Sequence, residues 1–203
     1  MSDVLANPHF ETALARRAAP TGLSFALREM ADRGMIDLRG MTTDRKFMAA
    51  VKSVLGADLP KVPRTSVAWG DVKMLWLSPD QWLVLCPRAK APALAADLGK
   101  ALSGIHSQVT NVSDMRTVLR LEGENLRVTL AKGTSTDLMA AEVKPGFVKR
   151  LKFAEVGALL NIVEDEIFEL YVFRSQADYV WDFLLATGTT ASALKVFGPQ
   201  TPG

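Results

Sequence analysis

Cysteine is nearly absent from this sequence. Cys86 is the only cysteine among 203 residues, so neither an intrachain disulfide nor a cluster of thiolate metal ligands can form. The two histidines, His9 and His106, are too few for a histidine-rich zinc or iron site. These shortages favour a reducing compartment, and we expect a cytoplasmic protein.

The chain also lacks long stretches of one charge and long apolar runs. It carries 24 Lys and Arg against 22 Asp and Glu, a net charge of +2, and the basic residues are scattered instead of forming the patch that nucleic acid requires. No stretch approaches the roughly 18 apolar residues of a membrane span, and the start of the chain does not have the pattern of a secretory signal. We therefore expect neither a nucleic-acid partner nor a membrane.

What the sequence does have is the composition of a folded protein. Hydrophobic residues make up 48% of the chain, and the mean hydropathy is +0.11. A chain of this length buries about 70% of its unfolded surface. It can form one large domain or two fused halves that share a core.

From residue 34 onward, the same unit occurs twice. In the first unit the patterns predict strands at 35–40, 72–77, 81–86 and 109–112. They also predict a helix over 43–55, with Thr43 as its N-cap, and a second helix with Leu94, Leu98 and Leu102 on one face. In the second unit the patterns predict strands at 118–123, 155–163, 167–173 and 193–197. They also predict a short helix over 125–131 and a second helix with Ala177, Val180, Trp181 and Leu184 on one face.

The two units also match residue by residue. Residues 82–88 align with residues 168–174 at a constant offset, and the helices that follow stay in step. The sequence therefore predicts an α+β fold of two ferredoxin-like βαββαβ repeats with a pseudo-twofold relation. The alternative is two unrelated α+β segments that share an order of elements.

The chain divides into three parts on this basis. Residues 1–33 form an N-terminal arm with a short strand at 22–28, residues 34–112 the first repeat and residues 113–203 the second, all within one compact domain. We expect the arm to become ordered only against another subunit.

No sequence motif for a nucleotide loop, a nucleophile elbow or a zinc-binding helix is present. Cys86 could be an activated thiolate, but a small buried core residue is favoured. His106 could be a general base, but packing at the surface or at a sheet edge is favoured. Four tryptophans could line a pocket or an interface, and we expect most of them in the core with one at an interface: Trp69, Trp76, Trp82 and Trp181.

Two polar runs also suggest ligands. The acidic run 164–166 has the oxygen ligands of a hard cation, but it lies between two predicted strands, where a solvated turn is favoured. The run 132–137 looks like an anion loop, yet it holds one glycine, and a C-cap at Gly133 followed by an N-cap at Asp137 accounts for it.

Five short motifs follow one another between about residue 36 and residue 185. They are Leu77-Ser78-Pro79-Asp80-Gln81-Trp82-Leu83, Val112-Ser113-Asp114, Leu130-Ala131-Lys132-Gly133 with Asp137-Leu138, Pro145-Gly146, and Phe173-Arg174-Ser175 leading into Tyr179-Val180-Trp181. In this order the motifs resemble the gamma subunit of heterotetrameric sarcosine oxidase.

The resemblance implies a fold similar to the folate-binding domain of the glycine-cleavage T-protein. It further implies a complex that oxidatively demethylates sarcosine to glycine, passes the one-carbon unit to tetrahydrofolate and forms hydrogen peroxide. The partners would be the alpha, beta and delta subunits, which would carry FAD, FMN, NAD, tetrahydrofolate and zinc.

The resemblance implies no catalytic, cofactor-binding or metal-binding residue in this chain. Relatives often have a cysteine after the glycine of the Lys-Gly motif, whereas this chain has Thr134. We therefore expect a noncatalytic structural subunit. The alternative is a stand-alone folate-binding protein or an aminomethyltransferase-like regulator.

Overall fold

The computed structural model describes residues 11–124, 126–189 and 192. Its first half contains β1 (Ala26–Glu29), β2 (Arg33–Arg39), α1 (Arg45–Leu55), β3 (Ser66–Trp69), β4 (Val72–Ser78), β5 (Gln81–Pro87), α2 (Ala91–Ala101) and β6 (Gln108–Asn111). Its second half contains β7 (Arg116–Glu122), α3 (Leu126–Ala131), β8 (Val148–Phe153), β9 (Val156–Glu164), β10 (Ile167–Phe173) and α4 (Ala177–Thr187). One short 3-10 turn precedes α2 (Arg88–Lys90), and another precedes α4 (Arg174–Gln176).

The first sheet confirms the predicted ferredoxin-like unit. Its strand order is β3-β4-β5-β2-β6, and all neighbours pair antiparallel. Taken in chain order, β2, β4, β5 and β6 are the four strands of a βαββαβ unit arranged 4-1-3-2, with α1 and α2 as its helices. The additional strand β3 extends the sheet beyond β4.

The second sheet repeats this order, but its fourth strand comes from the N-terminal segment. Its order is β1-β7-β10-β9-β8, so β1 pairs with β7 as β6 pairs with β2. The side chains of Phe25 and Leu27 are buried in the core beneath this sheet. Residues 11–33 thus pack on this chain itself, which corrects the expectation that the arm is ordered only by a partner. The strand predicted at 193–197 lies outside the described residues.

The two sheets lie face to face between outer layers of helices. Met35, Leu75 and Leu85 of the first sheet pack against Val118 and Leu159 of the second. The opposite face of the first sheet is covered by α1 and α2, and that of the second sheet by α3 and α4. The chain therefore has four layers, and the interface between its repeats is a buried sheet–sheet contact.

Helix α1 illustrates how the sequence specifies an element. Phe47, Val51 and Leu55 recur at helical spacing and are buried against the first sheet. The N-cap is Asp44 and not Thr43 as predicted, because the Asp44 carboxylate accepts hydrogen bonds from the backbone N–H groups of residues 46 and 47. Gly56 ends the helix with φ of 78°, a left-handed conformation that glycine adopts without strain.

Two short strands were not predicted, namely β3 and β8. The chain connects the two sheets where these strands begin. Thr65, just before β3, and Phe147, just before β8, form an isolated bridge, and the backbone N–H of Val148 donates to the carbonyl of Arg64 at 2.8 Å. This contact joins the two sheets at one end. Within the described part of the chain, no helix is both long and apolar enough to cross a membrane.

Two crossover connections join the sheets at the other end. The first leads from β1 to β2 and the second from β6 to β7, so each passes from one sheet to the other. The Met30 N–H donates to the Val118 carbonyl at 2.8 Å, and the Val112 N–H donates to the Met35 carbonyl at 2.8 Å. These equivalent bonds show that the approximate twofold symmetry extends to the crossovers.

Candidate functional site

A buried polar network lies between the two sheets and is centred on the carboxylate of Glu169 in β10. Glu169 Oε1 accepts a hydrogen bond from Arg33 at 2.5 Å, and Oε2 accepts one from Tyr171 at 2.5 Å and one from Asn161 at 3.0 Å. Lys73 of β4 donates to Asn161 Oδ1 at 3.1 Å and so extends the network into the first sheet. Only 3% of the Glu169 side chain is exposed.

Burial dominates the electrostatics of this network. It raises the pKa of Tyr171 well above its usual range, and the neighbouring Glu169 carboxylate raises it further. Burial lowers the pKa of Lys73, although the Glu169 charge acts in the opposite direction. The Tyr171 phenol is therefore held in its neutral form, in which it donates a hydrogen bond to Glu169.

The network breaks the symmetry between the repeats. Strand pairing equates Leu75, Leu83 and Leu85 of the first sheet with Asn161, Glu169 and Tyr171 of the second, and both sets face the opposing sheet. At these three equivalent positions the first sheet has leucines, while the second sheet has hydrogen-bonded polar groups. Such an arrangement fixes how the sheets align, because any shift leaves a buried charge unpaired.

Cys86 is buried at the end of β5, as favoured from the sequence. Its side chain is 2% exposed, and burial raises the pKa of the thiol. A thiol with a raised pKa is a poor nucleophile. The residue fills the core beside Gly34, where an added Cβ would lie 3.1 Å from the sulfur.

His106 and the acidic run lie at the surface. His106 is exposed in the bend between α2 and β6, while His9 lies outside the described residues. Asp165 and Glu166 form the turn between β9 and β10, so the solvated-turn interpretation is confirmed. Among the described residues, no group of three His, Cys, Asp or Glu side chains is placed to hold a metal ion.

The run 132–137 is built into the fold and does not form an open loop for an anion. Lys132 Nζ donates to the carbonyl of Thr187 at 2.5 Å and to Ser192 Oγ at 3.0 Å, which ties the end of α3 to the end of α4. An added Cβ at Gly133 would lie 2.6 Å from the Phe153 ring. Asp137 accepts a hydrogen bond from the N–H of Met139, but the helix expected after it is not formed.

The tryptophans separate into three that pack in the cores and one that is exposed. Trp82 is fully buried, and its indole N–H donates to the Pro60 carbonyl at 2.8 Å. Trp181 is 5% exposed, and Trp76 packs at the edge of the first core. Trp69 is 61% exposed and lies over Gly56 at a groove between α1 and α2.

The family model that matches this sequence describes the sarcosine oxidase gamma subunit family, and the match covers residues 39–191. The chain belongs to this family. A sarcosine oxidase subunit gamma from an Arthrobacter species is 32% identical over 64% of this chain and 62% of its own length. One from Corynebacterium sp. strain P-1 is 31% identical over 68% of this chain and 66% of its own length. The matches to these two relatives span somewhat less than two thirds of the relatives' lengths.

Solved structures agree with the family assignment. A chain of the heterotetrameric sarcosine oxidase from Corynebacterium sp. U-96 superposes with a TM-score of 0.82 at 25% identity, over 93% of this chain and 99% of that one. The glycine cleavage aminomethyltransferase T from Bartonella henselae superposes with a TM-score of 0.60 at 18% identity, over 81% of this chain and 46% of that one. The second likeness shows a shared fold.

Several motifs that carry the gamma-subunit resemblance lie where the two repeats meet. Ser113 accepts a hydrogen bond from the Met35 N–H at 3.0 Å in the crossover between β6 and β7. The Gly146 carbonyl accepts one from Ser66 at 3.1 Å at the opposite end. Asp80 in the β4–β5 turn accepts one from Ser78 at 2.6 Å, which lowers its pKa. The contacts of Ser113 and Gly146 connect the two halves of the gamma-subunit fold, whereas the contact of Asp80 stabilises a turn within the first half.

The Glu169 network was missed in the sequence. The sequence did indicate an unusual position, because the alignment of 82–88 with 168–174 matches Glu169 to Leu83. A carboxylate at an apolar strand position indicates a buried partner of opposite charge. The identity of that partner, Arg33, follows only from the face-to-face packing of the sheets.

Proposed function

We propose that this chain is a noncatalytic structural subunit of a heterotetrameric sarcosine oxidase. In this proposal the assembly oxidatively demethylates sarcosine to glycine, passes the one-carbon unit to tetrahydrofolate and forms hydrogen peroxide. The observation that carries the proposal is the superposition on a chain of a heterotetrameric sarcosine oxidase over nearly the full length of both chains. The family match over residues 39–191 supports it.

The proposal assigns the chemistry to the partners. FAD, FMN, NAD, tetrahydrofolate and zinc would be held by the alpha, beta and delta subunits in the cytoplasm, and this chain would contribute no catalytic, cofactor-binding or metal-binding residue. The burial of Cys86 and the mutual hydrogen bonding of Glu169, Tyr171 and Asn161 support this assignment. These groups are engaged with each other and with the core of the chain.

A subunit of this kind acts by burying surface against its partners. Permanent interfaces bury about 2,000 Å² or more in total and are rich in apolar residues. The described surface offers exposed apolar side chains for this purpose at Met41, Val62, Trp69, Met139, Phe173 and Tyr179. We propose that the groove beside Trp69 docks a partner subunit, because an exposed tryptophan at an apolar groove is a typical interface anchor.

The proposal is tested by tagging this chain in its native host and purifying it at modest salt. Flavin absorbance and sarcosine-dependent peroxide production are then measured on the same sample. Flavin and activity that copurify with the tag support the proposal. A colourless sample without peroxide production contradicts it.

A second arm of the experiment tests the folate-binding alternative. The similarity to aminomethyltransferase T concerns the fold and does not by itself transfer folate binding. Isothermal titration of the isolated chain with tetrahydrofolate separates the two ideas. Saturable binding to the isolated chain would favour a folate protein, whereas the structural-subunit proposal expects none.

A further inference from the structure

The groove beside Trp69 lies between α1 and α2 on the outer face of the first sheet, and it has a volume of about 620 Å³. Trp69 is the last residue of β3 and pairs with Val72, the first residue of β4. Its ring lies over Gly56, the C-cap of α1, where an added Cβ would be 2.6 Å from the indole nitrogen. The tryptophan therefore packs on one side of its ring and is 61% exposed in the groove.

The second repeat has the same arrangement around Phe153. Phe153 is the last residue of β8 and pairs with Val156, the first residue of β9. Its ring lies over Gly133, just after α3, where an added Cβ would be 2.6 Å from the ring. Phe153 is thus the counterpart of Trp69, yet it is only 1% exposed.

The helix that follows each sheet hairpin supplies a covering ring in the second repeat and not in the first. Phe183 of α4 packs against Phe153 with the ring planes at 79° and the ring centres 5.5 Å apart, an edge-to-face geometry that aromatic pairs favour. Phe183 is the seventh residue of α4, and the seventh residue of α2 is Asp97. The first repeat therefore has a carboxylate where the second has a ring.

Asp97 also gives the groove a negative charge. Two other charged side chains line the groove, Asp71 and Lys90, and they pair with each other, which lowers the pKa of Asp71. Asp97 is exposed and has neither a hydrogen bond nor an ion pair with any described residue. The groove thus offers an uncovered aromatic ring beside a carboxylate that has no counter-charge.

Both ends of the described chain lie beside the second repeat. Arg17, near one end, pairs with Asp178 and Asp182 of α4, and Ser192, at the other end, donates to the Thr187 carbonyl. Helix α4 covers the outer face of the second sheet, whereas the groove lies on the outer face of the first. The two sheets therefore separate the groove from both described ends, which favours an occupant from another chain.

We propose that this groove binds an aromatic side chain of a partner subunit, which packs edge-on against Trp69 as Phe183 packs against Phe153. A Lys or Arg close to that aromatic residue pairs with Asp97 and orients the partner segment, because an exposed ion pair contributes more to orientation than to affinity. The inference rests on the proposed function for the existence of the partner, and it adds the chemistry that the partner presents.

The test fills the groove from within this chain, as the second repeat does. Asp97→Phe should cover Trp69 and reduce at least tenfold the amount of partner protein that copurifies with the tagged chain from its native host. The melting temperature of the isolated variant should rise or stay within about 2 °C of the wild type. Ala96→Phe, at the adjacent exposed position of α2 that does not line the groove, should copurify as much partner as the wild type.

Photo-crosslinking identifies the occupant while Trp69 and Asp97 stay unchanged. The photoreactive amino acid p-benzoylphenylalanine replaces Ser53, at the exposed rim of the groove on α1, in the tagged chain in its host. Mass spectrometry of the crosslinked peptide should identify a segment of a partner subunit. That segment should contain an aromatic residue with a Lys or Arg within one helical turn of it.

Several results would overturn this inference and leave the proposed function intact. One is an Asp97→Phe variant that assembles as fully as the wild type. Another is a crosslink to this chain itself, to a second copy of it or to a partner segment without an aromatic residue. If no partner subunit copurifies with the wild-type chain, the proposed function fails and this inference fails with it, so the wild-type sample distinguishes the two failures.

Discussion

Arg33 and Glu169 join the two halves of this molecule. Arg33 begins β2 in the first sheet, Glu169 lies in β10 of the second, and their side chains meet at 2.5 Å across the interface between the sheets. The contact links residues 136 positions apart in the chain. Leucine, valine and methionine side chains from both sheets pack around this polar network.

The first prediction concerns the Glu169 carboxylate. Glu169→Gln should lower the free energy of unfolding by about 3 kcal/mol, because the Arg33 charge loses its partner in a largely buried site. Glu166→Gln, in the exposed turn of the same hairpin, should change it by less than about 0.5 kcal/mol. Urea denaturation of both variants measures the difference. Equal stability of the two variants would mean that the buried pair does not hold the sheets together.

Tyr171 provides a prediction at alkaline pH. Since burial raises its pKa, the folded chain keeps the phenolic proton above about pH 10, where an unfolded tyrosine loses it. The unfolded state then binds fewer protons, so stability falls as the pH rises beyond that point.

The chain has only two tyrosines, which makes this prediction measurable. In the Tyr179→Phe variant, phenolate absorbance can come only from Tyr171. It should appear together with the loss of the far-ultraviolet circular dichroism signal. Phenolate absorbance near pH 10 from a chain that is still folded would show that Tyr171 is accessible.

The position of β1 leads to a third prediction. Leu27→Ala should lower the free energy of unfolding of the isolated chain by about 3 kcal/mol, because Leu27 is buried in the core of the second repeat. Ala26→Ser, at an exposed position on the same strand, should change it by less than about 0.5 kcal/mol. Unchanged stability of Leu27→Ala would instead fit a segment that is ordered only by a partner.

Trp69 is the subject of a fourth prediction. Trp69→Ser should reduce the amount of partner protein that copurifies with the chain at least tenfold, while the melting temperature of the isolated chain stays within about 2 °C of the wild type. Trp69→Phe should restore copurification. Full assembly of Trp69→Ser would exclude this groove as an anchor of the interface.

The repeat pattern was recognisable in the sequence because each unit buries its own apolar faces. The helix face of Phe47, Val51 and Leu55 depends only on local spacing, and it was found. Strand β8 was missed because three of its six residues are Lys or Arg, and strand β3 because it is short and follows a proline-containing connection. Both strands are specified by the neighbouring strands with which they pair, β9 and β4.

Features that depend on contacts between the repeats could not be predicted. The β1 strand pairs with β7 about 90 residues later, and nothing in its four residues identifies that neighbour. The Glu169 network also depends on how the two sheets align. The N-cap of α1 was misplaced by one residue, because both Thr43 and Asp44 are favourable cap residues and only backbone geometry distinguishes them.

The central claim is that this chain is a subunit of a larger enzyme, and its native mass in the cell tests that most directly. Native mass spectrometry of the tagged wild-type chain, purified from its host at modest salt, should show one copy in a complex with three other chains. A monomer of 22.1 kDa as the only species would contradict the account.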